Sequence, residues 1–245
     1  MIPGFHAVRE TLLKAPETLR EVWVGVSRKG ARAEEIAGLC AEKRVPVQFK
    51  ELPELEAAAP GTSHQGFIAF AQTFSYTAIE DLIDTSRRTP GRALLIVADH
   101  ITDEGNLGAL VRTAVFFGVQ GLILPKDRSA QITGKLLKRT SGAFSSLAVA
   151  QVVNLGRALD LLKESGFWII GAAGEAEESI FRFDWDRDVV LALGSESKGL
   201  SHSVRDRCHT LVRIPGSGQV ESLNVSVAGG VILSEIVRQR GKKVI

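Results

Sequence analysis

Five polar side chains stand where apolar runs hand over to helical patterns: Asn106, Arg112, Glu196, Ser222 and Asn224. They fall in three stretches, "DHITDEGNLGALVR" (99–112), "LALGSESKGLS" (191–201) and "IPGSGQVESLNVSVAGGVILSEI" (214–236). Together they offer two amides, a guanidinium, a carboxylate and a hydroxyl, beside turns that carry glycine. The set has no histidine, thiol or metal-ligand cluster, so hydrolysis and redox chemistry are poorly served and binding with group transfer is served better. Gly216 and Gly218 let backbone approach a ligand closely. Ser222 and Asn224 add a hydroxyl and an amide beside the exposed N–H groups of a helix start. The turn after Gly194 is neither a phosphate loop nor a dinucleotide fingerprint, because GxxxxGK[ST] and GxGxxG are both absent. A plainer account stands beside each stretch. Asn106 is a good N-cap, and Arg112, roughly 9 Å further along the axis, lies off the apolar face as a solvated charge. Gly194-Ser195-Glu196 reads equally as an ordinary strand-to-helix turn, and Ser222 and Asn224 as caps.

The elements that must position these residues are legible from periodicity. "ALLIVAD" is a continuous apolar run, typical of a strand buried on both faces. "NLGALVRTAVFFG" follows as a helix with Leu107, Leu110, Val111, Ala114 and Val115 on one stripe, stopped by Gly118. Strand "GLILP", helix "ITGKLLKRTSG", strand "LAVAQVV", helix "LGRALDLLKESG", strands "FWIIGAA" and "DVVLALG", helix "LSHSVRDRC", strand "TLVRIP" and a closing helix complete the series. Such alternation predicts an α/β domain with a mostly parallel sheet covered on both faces, over 93–245. Ligands of such sheets bind beyond the carboxyl ends of the strands, where the three stretches would converge. Ahead of it, a helix ("FHAVRETLLKA"), a strand ("EVWVGV"), an amphipathic helix with Ile36, Leu39 and Cys40 inward, and strands "VPVQFK" and "GFIAFAQ" form a small α/β unit over 1–72. Residues 73–92, polar and with Pro90-Gly91, read as a linker.

Composition narrows the partners. The chain has 245 residues, 44% apolar and 24% charged, an ordinary globular balance. A net charge of +2 provides no global basic field, so any nucleic-acid contact must come from local patches. Lys126, Arg128, Lys135, Lys138 and Arg139 make such a patch, suited to phosphate contacts, or else a solvated helix face. Cys40 and Cys208 suggest no disulfide framework, which fits a reducing cytoplasm. The histidines show no metal-ligand spacing, so no metal is expected. No apolar run reaches 18 residues, and Arg9 and Glu10 interrupt any apolar core at the N-terminus, so neither a membrane span nor a signal peptide is expected.

The three stretches, in their order, resemble the three motifs of the SpoU branch of the SPOUT RNA methyltransferases. "GFHAVRETL", "TSHQGFIAFAQ", "LPKDRSAQIT" and "TLVRIPGSGQVESLNVSVAGGVILSEIVRQR" further resemble the subgroup that methylates a guanosine 2′-hydroxyl in large-subunit ribosomal RNA. The resemblance covers essentially the whole chain. It implies a deep trefoil knot in the C-terminal domain, an exception to the rule against knots. It implies an N-terminal domain similar to ribosomal protein L30e that helps hold RNA, and a homodimer. It implies S-adenosylmethionine as cofactor, held by backbone around Leu193, Gly194, Ile214, Gly218, Leu223 and Asn224. Asn106, Arg112, Glu196, Ser222 and Asn224 fall on the family's active-site positions.

The reaction implied is in-line transfer of a methyl from a sulfonium to a ribose 2′-oxygen. That hydroxyl is a poor nucleophile, so it must be positioned and its developing charge stabilised. A guanidinium is effectively never deprotonated, so Arg112 is read as an electrostatic stabiliser rather than a base, with Asn106 and Glu196 holding it and the loops in place. RNA recognition would rest on shape, splayed bases and the 2′-hydroxyl itself. The sequence departs from the family twice: Glu104 stands where Pro is usual before the first-motif Asn, and Ser145 where Gly-Ala-x-Glu is usual, two changes that bear on which nucleotide is methylated. Two other readings stay open. One is a transfer-RNA 2′-O-methyltransferase, against which the globular N-terminal domain speaks. The other is a non-catalytic RNA-binding or ribosome-assembly factor, against which the intact motif residues speak.

Overall fold

The computed structural model describes residues 1–27, 30–71, 74–140, 142–195, 198–218 and 222–241. The chain divides into two compact units, Met1–Phe74 with Ile132–Arg139, and Ser75–Gln131 with Thr140–Ile245.

In the first unit, strands β1 (Ile2–Pro3), β2 (Leu19–Gly25), β3 (Val47–Lys50) and β4 (Phe67–Ala71) form a sheet of order β1-β4-β2-β3. Helices α1 (Phe5–Lys14) and α2 (Ala31–Lys43) cover one face, with Phe5, Val8, Leu12, Ile36 and Cys40 buried against Val22, Val24 and Ala69. Alternation along β2 and β4 sends Trp23, Ile68 and Phe70 to the other face. There a helix that the periodicity did not reveal, α3 (Leu52–Ala58), buries Leu55. A reciprocal capping box starts it, in which the Glu51 N–H donates to Glu54 Oε2 at 3.0 Å.

The second unit begins with α4 (Ile79–Arg88), which lies inside the stretch read as a linker. Leu82 and Ile83 are buried in the main core, and each such side chain contributes roughly 1.5–3 kcal/mol on burial. Glu80 and Asp81 in its first turn and Arg87 and Arg88 in its last complement the helix dipole. Then follow β5 (Leu94–Asp99), α5 (Glu104–Phe116), β6 (Gly121–Pro125), α6 (Gly134–Arg139, grouped with the first unit), β7 (Ala148–Val152), α7 (Leu155–Glu164), β8 (Trp168–Ala172), β9 (Glu178–Ser179), β10 (Val189–Gly194), α8 (His202–Arg205), β11 (Thr210–Arg213) and α9 (Val225–Gly241). Among the described residues the sheet runs β7-β6-β5-β10-β8-β11-β9, with every pairing parallel. This is the α/β architecture expected. β5 and β6 are buried along their whole length, as continuous apolar runs require. Helices α4, α7 and α8 pack on one face through Leu82, Leu159, Leu162 and Val204. On the other, α5 and α9 meet closely: a Cβ added at Gly229 would lie 2.7 Å from Leu110 and 3.0 Å from Leu193.

Arg240 fastens the far end of α9. Its guanidinium donates to the carbonyls of Trp185 (3.1 Å), Arg92 (3.0 Å), Arg187 (2.8 Å) and Ala93 (3.4 Å), just ahead of β10 and β5. Removing it strips a donor from each of these carbonyls, though Trp185 and Ala93 keep a backbone donor, so Arg240→Ala is expected to cost about 1–2 kcal/mol. A lowered urea midpoint at unchanged slope would measure this; an unchanged midpoint would remove the role.

Candidate active site

The sheet itself selects the place. From β5 the chain moves outward to β6, while β10, on the other side of β5, is reached through β8. The crevice beyond the carboxyl ends of β5 and β10 is therefore a topological switch point, where open α/β sheets bind ligands. Asp99 and Gly194 are partners in register at those two ends.

The loop after β5 starts α5 differently from the expectation. Asp103, not Asn106, is the N-cap: its carboxylate accepts from the Asn106 N–H at 2.7 Å, and the helix begins at Glu104. Glu104, one of the two departures from the resembled pattern, puts an acidic group in the first turn, where the helix dipole favours it. With the cap supplied upstream, the Asn106 side chain is released for a long-range contact. Its Oδ1 accepts from Asn224 Nδ2 at 2.9 Å, across 118 positions of sequence. Asn224 does cap its helix, because its Oδ1 accepts from the Ser226 N–H (3.0 Å) and hydroxyl (2.6 Å). One amide thus starts α9 and ties the third stretch to the first.

The loop after β10 folds back on itself. Ser195 and Gly199 exchange backbone hydrogen bonds of 3.1 and 2.8 Å, with Gly199 at φ +63°. Their turn covers Gly194 so closely that an added Cβ would sit 2.1 Å from the Gly199 carbonyl carbon and 2.3 Å from Leu200 N. Glycine is the only residue that fits. Glu196 lies outside the described residues. Asp99, fully buried, accepts from the Ser201 N–H at 2.5 Å through Oδ2 and from His100 Nδ1 at 2.5 Å through Oδ1. Neither Asp99 nor Ser201 was among the residues expected at the site. The signal available was a lone acid ending an otherwise apolar strand.

The remaining candidates are distributed as follows. Arg112 is exposed on α5, roughly 120° around the helix from Asn106 at 100° per residue, so helix geometry alone does not bring the two onto one face. Ser222 is exposed, Leu223 is 49% exposed and Ile214 is half-buried. Gly218, at φ +80°, has open space where a Cβ would go. The Leu193 side chain is buried towards α9. Lys126 and Arg128 are exposed in the loop after β6, where the Lys126 N–H donates to the Val152 carbonyl (2.8 Å) and the Ala130 N–H to the Ile101 carbonyl (2.9 Å). Lys135 and Arg139 are exposed on α6; the Lys138 side chain lies outside the described residues. Ser145, in a 3₁₀ turn, donates to the Gly142 carbonyl at 2.6 Å.

Burial pushes the thiols of Cys40 and Cys208 up to about 11, so neither supplies a thiolate near neutral pH. No group of His, Cys, Asp and Glu among the described residues could hold a metal, and no helix among them is long and apolar enough to cross a membrane. The chemistry on offer at the switch point is glycine-bearing backbone and amides, with the Ser222 hydroxyl and the exposed apolar surface of Leu223 in the same stretch as Asn224, and the Arg112 guanidinium exposed further along α5. That donor set fits a nucleoside-bearing ligand, whose base needs an apolar face and whose polar edges need backbone groups.

Comparison with known proteins agrees with this. Residues 93–234 match the SpoU rRNA Methylase family, and residues 1–77 match the RNA 2′-O ribose methyltransferase substrate binding family. The chain is 40% identical over 245 residues to the 23S rRNA (guanosine-2′-O-)-methyltransferase RlmB of Pseudomonas putida, covering 99% of this chain and 97% of that protein. It is 41% identical to the protein of the same name from Xylella fastidiosa, with 98% and 96% covered. Among solved structures it is similar in fold to the SpoU methyltransferase AviRb of Streptomyces viridochromogenes in complex with AdoMet. That match has a TM-score of 0.64 at 24% identity and covers 98% of this chain and 89% of that one.

Proposed function

The chain belongs to the SpoU rRNA methylase family, and from that premise we propose that it transfers a methyl group from S-adenosylmethionine to the 2′-hydroxyl of a guanosine in 23S ribosomal RNA. The observation that carries the reading is the Asn224–Asn106 hydrogen bond at the switch point, which joins the first and third motif loops where a ligand of this sheet belongs. S-adenosylmethionine, when bound, supplies an activated methyl on a sulfonium. Backbone of Leu193, Gly194, Ile214, Gly218, Leu223 and Asn224 holds it. Asn106 and Asn224 keep the two loops in register. Arg112 faces the developing charge on the 2′-oxygen and orients the ribose or its phosphate. Ser222 and Glu196 complete the polar lining.

The domain assignment follows the same reading: 1–72 grips RNA in the manner of an L30e-like domain, and 93–245 is the knotted methyltransferase domain, whose core also takes in α4 from the stretch between them. Lys126, Arg128, Lys135, Lys138 and Arg139 contact phosphates. The working form is a homodimer in the cytoplasm; exposed Phe116 and Val227 on α5 and α9 supply apolar surface for a second copy.

The test is direct. The full chain is incubated with S-adenosylmethionine and either a 23S ribosomal RNA transcript or transfer RNA, and nucleosides are resolved by mass spectrometry. One 2′-O-methylguanosine in ribosomal RNA alone is expected. Methylation of transfer RNA alone, or of neither RNA, would overturn the substrate.

A further inference from the structure

Asp99 has no place in the reaction described above, yet it is a carboxylate taken wholly out of water at the mouth of the candidate site. Such a group is tolerated only where its oxygens are hydrogen-bonded. One oxygen accepts from the backbone N–H of Ser201 and the other from the His100 ring, each at 2.5 Å. Ser201 caps α8 immediately after the 195–199 turn. That turn is closed at its near end by the Ser195–Gly199 pair and followed by Leu200, which is buried. Beneath it lies Gly194, the sheet partner of Asp99. The peptide covering Gly194 is therefore held at two points: its own bridge, and a carboxylate on the neighbouring strand. For the far end of the turn to move, the Asp99 oxygen must lose its donor inside the protein, which a buried acceptor resists.

We propose that Asp99 is a positioning residue for the cofactor pocket, whose carboxylate, acting through the Ser201 N–H, fixes the Gly199–Ser201 backbone over Gly194 in the form that receives S-adenosylmethionine. The inference rests on the functional reading above and deepens it. It also separates two roles that an adjacent Asp and His could have. In the other role Asp99 orients the His100 ring as a proton acceptor, as acids do for catalytic histidines. His100 sits at φ +58°, in the left-handed region that suits glycine better than a residue with a side chain. If His100 only satisfies the second oxygen, glycine relieves the backbone, water entering from the exposed side of the ring takes over that oxygen, and turnover is kept.

The two roles divide on variants of the full chain. Ser201 has φ −63°, the value a proline ring imposes, so Ser201→Pro deletes the donor N–H without forcing that angle; its Cδ takes the place of the hydrogen that faced Asp99 Oδ2, so the variant is read in the Asp99→Ala background as well as alone. S-adenosylmethionine affinity is measured by calorimetry, turnover on ribosomal RNA at saturating cofactor, and stability by melting. Ser201→Pro is expected to raise the cofactor Kd and KM about tenfold or more, the equivalent of one such hydrogen bond, while kcat falls less than about threefold. Asp99→Ala is expected to do the same, and the double variant to bind no more weakly than Asp99→Ala alone, because both remove one interaction. Asp99→Asn is expected to recover most of the affinity, since its amide oxygen still accepts from Ser201. His100→Gly is expected to bind cofactor within about threefold of the original chain. Unchanged affinity in Ser201→Pro overturns the proposal, as does a His100→Gly chain that binds cofactor normally but has lost turnover. Should Asp99→Ala fail to fold, Asp99→Leu, which fills the space without an acceptor, carries the test: it should lose the affinity that Asp99→Asn keeps. If the original chain itself does not bind S-adenosylmethionine, it is the functional reading that fails.

Discussion

Arg112→Ala is expected to slow methyl transfer by about 10²–10³, the range seen when one preorganised donor to a developing oxyanion is lost, while S-adenosylmethionine binds as before. The separation should be clean because Arg112 is exposed on α5 and alanine is the best helix former, so neither the core nor the helix suffers. Single-turnover rates on ribosomal RNA would give the loss, and calorimetry the retained affinity. Arg112→Lys should recover only a part, because an ammonium restores charge without the planar fork that can hold an oxygen and a phosphate together. A variant with full activity would remove Arg112 from the chemistry.

Gly194→Ala should fail for a different reason. The added Cβ meets backbone, not a pliable side chain, at 2.1, 2.2 and 2.3 Å from atoms of Gly199 and Leu200. No rotamer relieves that overlap, so the turn must lift. The expected cost is about 3 kcal/mol of stability, the upper range for overpacking, which lowers the melting temperature by about 6–12 °C in a chain this long. Cofactor affinity should fall at least about a hundredfold, because the lifted turn is the proposed pocket wall. Gly216→Ala is the control. Nothing lies within 4 Å of its added Cβ, and it should melt with the original chain. If Gly194→Ala also melts there, the close cover described for β10 is wrong.

These effects bear on what the amino-acid order made visible. The buried strands β5, β6 and β10 were legible because a parallel sheet covered on both faces writes itself as unbroken apolar runs, and α5 because Leu107, Leu110, Val111 and Ala114 keep one helical stripe. α4 was not, although Ile79, Leu82, Ile83 and Ser86 follow the same spacing. Its polar remainder and the Pro90-Gly91 that follows gave the stretch the composition of a linker. α3 escaped because seven residues are too few to establish a period, and the capping box that starts it uses Glu51 where Ser or Thr is the usual signal. At the site, residue types and loops were readable, but partnerships were not. Asn106 looked like a cap because amides at helix starts usually are; Asp103, three residues earlier, took that role, and only the folded chain brings Asn224 to Asn106. The Asp99–Ser201 bond spans 102 positions and one of its partners is a backbone N–H, which leaves no mark in sequence at all.

The Arg240 clasp sets a timetable for synthesis. The carbonyls it satisfies belong to Arg92, Ala93, Trp185 and Arg187, between 53 and 148 positions upstream. A ribosome making this chain releases β5 and β10 long before residue 240 exists, so the starts of both strands wait in a nascent protein without their donor. The same helix carries Asn224 at its other end. Fastening of the sheet and closure of the candidate site are therefore one late event. An enzyme proposed to mark ribosomal RNA would acquire its grip on the methyl donor only after residue 240 has left the ribosome.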